Sequence, residues 1–340
     1  MEKGTISIRF VEAVLDGVRE RGFETDTMLE QSGISPGLLA LPHARVSAAT
    51  YTSLLRLIAQ TLDDEFFGHD SRRMKTGSFA MLCHSVIHCT TMEKALVRIL
   101  RFFALLLDDL WGTVEPGDGV VRMVLHERFP ERPARVFAQE TLLMFAHRLA
   151  CWLVNRRIPI LSAEFRYPPP DRAGEYALLF CSGAKFLQPQ TSISFDAKYA
   201  TLPVVRSEQA LKEFLHVAPQ NLLVQYKDSH SLTASIQKRL HQVAPAEWPS
   251  FDDLADQLGA SVSTLRRRLD AEGQSYQVIK DHLRRDMAIG LLSQTGNSVM
   301  TIAGELGFAE ASAFHRAFKK WTGACPGEYR RRNGDRAGGG

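Results

Sequence analysis

The chain lacks any apolar run long enough to cross a bilayer. Its most apolar segment, Phe102 to Leu107, is closed off by Arg101 and Asp108, whereas a spanning helix needs about 20 such residues. The N-terminus is mixed and charged and does not read as a leader. Cysteine is scarce, five in 340 residues at irregular spacing, which argues against a disulfide framework and fits reduced, buried thiols. Charge of one sign is also lacking: 41 Lys and Arg face 38 Asp and Glu, a formal net charge of +3. Such a balance gives no overall reason to expect a polyanionic partner. Nor does the N-terminal half carry a glycine-rich phosphate loop, a nucleophile elbow or convincingly paired carboxylates. These absences predict a cytoplasmic chain with no catalytic residues, cofactor or metal.

What is present is unevenly placed. From Ala234 onward there are 15 Lys and Arg against 12 Asp and Glu, and the preceding stretch is balanced at 26 of each. The whole excess therefore lies in the C-terminal part, and the length suits two domains. That part repeats one pattern about fifty residues apart. Leu254-Ala255-Asp256-Gln257-Leu258-Gly259 leads to Leu265-Arg266-Arg267-Arg268-Leu269, and Ile302-Ala303-Gly304-Glu305-Leu306-Gly307 leads to Phe314-His315-Arg316-Ala317-Phe318. Each copy reads as a short helix, a glycine turn and a second helix with arginine on its free face, which is the layout of a helix-turn-helix.

The residue types suit that layout. Ala255 and Ala303 allow the two short helices to approach closely, and Gly259 and Gly307 can end the first helix in a left-handed conformation. Ser261 is placed to cap the second helix of the first copy. The corresponding position of the second copy holds Ala309, a weaker cap. Leu265 and Leu269, like Phe314 and Phe318, fall inward. Rotation of about 100° per residue then turns Ser263, Arg267 and, on the flank, Arg266 outward in one copy, and Ser312, His315 and Arg316 in the other. These six are the candidate base-reading residues. Arg268, Lys319, Lys320 and Arg330 are the candidate phosphate contacts. Between the copies, Tyr276, Ile279, Leu283, Met287 and Leu291 mark one continuous helix over 275–292. At about 25 Å this rod can hold two recognition helices near successive major grooves, roughly 34 Å apart on one face of DNA.

The sequence at this point resembles the AraC/XylS family of bacterial transcription regulators. The matching blocks run from Ser261 to Leu269, from Ala303 to Phe308, from Ser312 to Gly323 and from Pro326 to Arg330. The resemblance implies an all-α DNA-binding domain with two helix-turn-helix motifs over 231–332. Arg267 and Arg316 would be its principal recognition arginines.

The first two hundred residues have mixed α+β character. Helical periodicity covers 8–21, 48–62, 92–109 and 135–155, with a shorter helix near 176–180. Alternation marks strands at 120–126, 161–167 and 192–195. Gly33-Ile34, Arg45-Val46, Phe66-Phe67-Gly68, Thr91 to Leu96, Phe165 to Pro170 and the Phe186 to Phe195 stretch resemble the arabinose-binding-like N-terminal domain of the branch that includes ornithine-utilisation and virulence regulators. The expected organisation is an effector-binding and dimerising domain over 1–206, a linker over 207–230, the DNA-binding domain and a disordered tail over 333–340.

Expected partners are double-stranded DNA, a small-molecule effector whose binding residues the sequence does not locate, RNA polymerase if the outcome is activation, and a second copy of the chain. A constitutive DNA binder whose N-terminal domain only dimerises is the alternative; more distant is an enzyme delivered to DNA. Cys83-His84 and His88-Cys89 have a spacing that can hold zinc, but their apolar neighbours favour core packing. Cys325, beside Pro326, reads as structural.

Overall fold

Helix boundaries follow the apolar periodicity closely in this computed structural model, which describes residues 5–129, 135–217, 232–271, 274–294 and 296–334. The order is β1 (Thr5–Ser7), α1 (Ile8–Glu20), α2 (Asp26–Ser32), β2 (Arg45–Ser47), α3 (Ala48–Leu62), α4 (Ser78–Val86), α5 (Met92–Leu106), β3 (Leu110–Pro116), β4 (Val120–Glu127) and α6 (Val136–Leu153). There follow β5 (Ser162–Glu164), α7 (Tyr176–Leu179), β6 (Thr191–Asp196), α8 (Glu208–Val217), α9 (Leu232–Leu240), α10 (Phe251–Gln257), α11 (Val262–Ala271), α12 (Tyr276–Gln294), α13 (Val299–Glu305), α14 (Ala311–Thr322) and α15 (Pro326–Gly334). Short 3-10 turns intervene, among them Pro36–Ala40.

The chain divides into two compact units that do not follow its linear order. One comprises 9–32 and 52–226; the other gathers 1–8, 33–51 and 227–340.

The first unit is built on a four-stranded antiparallel sheet in the order β3-β4-β6-β5. Its central strands bury Met123, Val124, Ile193 and Phe195, and α5 and α6 pack against it. Thr91 caps α5 by accepting from the Lys94 amide. That helix ends at Leu106, short of the expected 109, because Leu107 turns extended and the chain enters β3. β5 is only three residues long. Beyond it the Phe165 amide turns to the Lys185 carbonyl, away from β6.

Two boundaries are corrected. Residues 208–217, expected within a linker, form α8, which buries Leu211 and Phe214; that apolar pair at helical spacing makes the segment part of the first unit's core. Positions 333 and 334, assigned to a disordered tail, close α15. The rest of the expected linker, 218–230, and of the tail, 335–340, lies outside the described residues.

The second unit adds a two-stranded antiparallel sheet, β1 with β2, to the helical domain. β1 pairs with β2 through Thr5 and Ser47, Ile6 and Val46, and Ser7 and Arg45. The Thr5 hydroxyl donates to Asp286 Oδ1 at 2.6 Å and receives Arg45 Nε at 2.9 Å. The Tyr329 hydroxyl donates to the Arg45 carbonyl. Three residues make too short a strand to leave a readable alternation.

Candidate nucleic-acid interface

Each half of the helical domain assembles its own core. In the first, Leu254 and Ala255 of α10 meet Leu265 and Leu269 of α11, with Ile236 and Leu240 of α9 and Tyr276, Ile279 and Leu283 of α12 closing the cluster. The second uses aromatic rings. Phe314 lies 5.5 Å from Phe308 and 5.6 Å from Phe318, and Phe318 lies 5.4 Å from Tyr329. The connecting helix α12 changes faces midway: Tyr276, Ile279 and Leu283 are buried early, and Ala288, Ile289 and Leu292 late. This drift is how one rod serves two cores, and it leaves Met287 and Leu291 only partly buried.

The turns match their chemistry. Ser250 forms a capping box with Asp253 at the start of α10, and Ser298 caps α13. Gly259 and Gly307 adopt φ of 61° and 73°. Their surroundings differ: a Cβ on Gly259 would meet open space, but on Gly307 it would lie 2.8 Å from the Pro245 carbonyl oxygen. Ser261 Oγ accepts from the Thr264 amide at 3.2 Å, capping α11 as its position suggests. The N-cap of α14 is Glu310 and not Ala309, because the turn is one residue longer. Glu310 makes no side-chain cap bond, and its carboxylate instead receives Ser312 Oγ at 2.9 Å.

Ser263, Arg266, Arg267 and Arg268 on α11 are exposed, as are Ser312, His315, Arg316, Lys319 and Lys320 on α14. Among the described residues no hydrogen bond or ion pair engages Arg267 or Arg316. Arg266 lies over the Phe251 ring at 5.8 Å, which restrains it on the flank. Arg330 departs from the expected free phosphate contact. It is partly buried and its Nη2 donates to the Asn297 carbonyl at 2.6 Å, so its guanidinium ties α15 to the start of the second motif.

Sequence patterning missed Arg284. It sits on α12 with its guanidinium 5.1 Å from the Trp248 ring and 5.4 Å from that of Phe308, and Nε donates to the Leu306 carbonyl at 3.0 Å. One side chain thereby joins the two helix-turn-helix halves. Burial lowers its pKa from the ordinary arginine value. Nothing in the helical periodicity separates it from an ordinary solvated arginine; only its aromatic partners do.

The first unit carries the interior features suited to a ligand. Glu140 is buried, held by Arg172 at 2.6 and 3.1 Å and by the Tyr176 hydroxyl. Thr191 donates to Gln139 at 2.6 Å, and Gln139 in turn donates to Glu127 at 2.9 Å. A small cavity of about 40 Å³ is lined by His69, Asp109, Glu127, Arg135 and Gln139 together with Leu110, Phe129 and Ala138. A larger one of about 240 Å³ lies among α3, α4, α6 and α8. His84 and His88 face Glu208 at 3.8 and 3.0 Å. Among the described residues there is no group of three or more metal-binding side chains, and no helix long and apolar enough to cross a membrane.

With this geometry in place, comparison with known proteins is decisive. The model of the arabinose-binding domain of AraC transcription regulators matches residues 22–204, and that of a helix-turn-helix domain matches 254–332. The chain belongs to the AraC family. Among AraC-family relatives, it is 28% identical over 328 residues to the ornithine utilization regulator of Pseudomonas aeruginosa, covering 96% of each chain. It is 25% identical over 319 residues to the regulator VirS of Mycobacterium tuberculosis, covering 93% of each. This AraC-family chain is a DNA-binding transcription regulator with an N-terminal ligand-binding domain, and the relatives named above are transcription regulators.

Proposed function

We propose that a small molecule bound in the first unit shifts the protein between arrangements of its two units, only one of which presents α11 and α14 together to DNA. Arg267 and Arg316 read base edges in the major groove, with Ser263, Arg266, Ser312 and His315 as neighbours. Arg268, Lys319 and Lys320 bind phosphates. The observation that carries this reading is the matched exposure of Arg267 and Arg316, each two residues, or just over half a turn, from a buried apolar anchor on a capped or packed helix. The protein acts in the cytoplasm as a homodimer, and contacts RNA polymerase where it activates. A constitutive binder whose first unit only dimerises is the competing reading.

Footprinting on the DNA flanking its own gene tests the proposal. Two protected segments on one face of the duplex are expected, and absence of any protected segment would refute it. Thermal shifts of the full chain against amino acids, fatty acids and sugars separate gating from dimerisation alone.

A further inference from the structure

The larger cavity of the first unit is walled by Leu55, Phe67, Phe79, Phe145 and Leu215, and carries charge at two places, Glu65 and Arg56. Leu55, Phe67, Phe79 and Phe145 are at most 9% exposed, so the apolar wall is a fixed part of the core. Ligand sites of this kind are mostly apolar with a few convergent polar groups, and at about 240 Å³ this one suits a small molecule and not a polymer.

Glu65 defines the polar end. Its Oε1 accepts from the Gly77 amide at 2.9 Å and its Oε2 from the Phe79 amide at 2.7 Å. These two bonds hold the carboxylate still and leave each oxygen further acceptor capacity. Burial raises its pKa, with Asp64 and Asp63 adding to the effect. A cationic group beside it would offset that cost.

The cavity also sits where occupancy can be transmitted. Two of its lining helices continue along the chain into the other unit: α3 follows β2 directly, and α8 leads into the residues before α9. Phe79 links the wall to both α6 and α8, with ring centroids 5.9 Å from Phe145 and 6.4 Å from Phe214. Arg56 of α3 donates to the His216 carbonyl of α8 at 3.4 Å. The ligand would therefore touch helices leading into two of the four points at which the chain passes between the units.

We infer that this cavity is the effector site and takes a small molecule with an apolar body and an ammonium group, the ammonium facing Glu65 and the body lying among Phe67, Phe79, Phe145 and Leu215. This rests on the gated reading above. A simple alkylamine and an apolar amino acid share that chemistry; the amino acid adds a carboxylate for Arg56.

Titration calorimetry on the full chain with n-hexylamine, L-leucine and hexanoate tests it. Saturable binding is expected for hexylamine or leucine and none for hexanoate. Glu65→Gln should weaken that binding about tenfold or more, the range of a lost charge-assisted bond. Ala80→Trp, which fills the cavity from α4, should abolish it, with the melting transition of each variant checking the fold. Arg56→Ala separates the sources: it should weaken leucine several-fold more than hexylamine. Hexanoate binding as tightly as hexylamine, binding by folded Ala80→Trp at wild-type strength, or no saturable binding by hexylamine and leucine would each overturn the inference. Gel shifts with the footprinted DNA keep the two readings apart: sequence-specific DNA binding without ligand titration sinks only this site, whereas loss of specific binding by the wild-type protein sinks the regulator mechanism.

Discussion

The Tyr329 hydroxyl donates to the carbonyl of Arg45, 284 positions earlier in the chain. Tyr329 is 1% exposed and Arg45 7%, so this bond ties α15 to the β1-β2 sheet in an environment without competing water. Residues that a linear reading assigns to the effector domain thus complete the core of the DNA-binding unit.

Tyr329→Phe should therefore cost about 1–3 kcal/mol, because it leaves a buried carbonyl without its donor. Native-state hydrogen exchange is the suitable measurement. Faster exchange is expected in α15 and β2, with α5 unchanged. Unchanged protection of α15 would show that the bond contributes nothing.

The two turn glycines separate backbone strain from crowding. Gly259→Ala should cost about 1–2 kcal/mol, the price of a left-handed conformation with a Cβ. Gly307→Ala adds the clash with the Pro245 carbonyl, a further 1–3 kcal/mol or so from overpacking. Melting of the two variants checks the order, and equal losses would refute the crowding argument.

His69 gives a pH dependence. It is buried, its Nε2 lies 3.2 Å from the Val14 carbonyl, and burial lowers its pKa to about 4. The unfolded chain titrates near the ordinary 6.5, so between about pH 6.5 and 4 the unfolded state binds the extra proton. Stability should fall as pH drops through that window, by up to about 3 kcal/mol. His69→Gln should flatten this part of the stability profile relative to wild type, as followed by urea unfolding. An identical slope in the variant would contradict the assignment.

Much of this architecture was legible from residue order. Leu265, Leu269, Phe314 and Phe318 announced the inward faces of α11 and α14, and all four are buried. Ser261 announced a cap that forms. The misses share a cause: long-range partners leave no local period. Thr5, Arg45 and Asp286 meet only after the chain closes on itself, and Arg284 differs from Arg285 by the rings it meets. α8 was hidden by its position between two domains, although Leu211 and Phe214 carried a helical spacing. The candidate base-reading set was legible as a pattern of exposure, whereas the effector cavity draws on α3, α4, α6 and α8 and has no signature in any one segment.

On the footprinted DNA, Arg267→Ala and Arg316→Ala should each cost about 1–3 kcal/mol of specific binding and leave random-duplex binding nearly unchanged. Lys320→Ala should weaken both and flatten the salt dependence. Equal losses on specific and random DNA for Arg267→Ala would remove it from the base-reading role.

The central claim is that α12 fixes α11 and α14 so that both engage one face of the same duplex. Inserting five base pairs between the two protected segments rotates one by about half a turn. Specific affinity, measured by gel shift, should then fall to that of a duplex bearing one segment alone. Full affinity retained across the insertion would contradict the account.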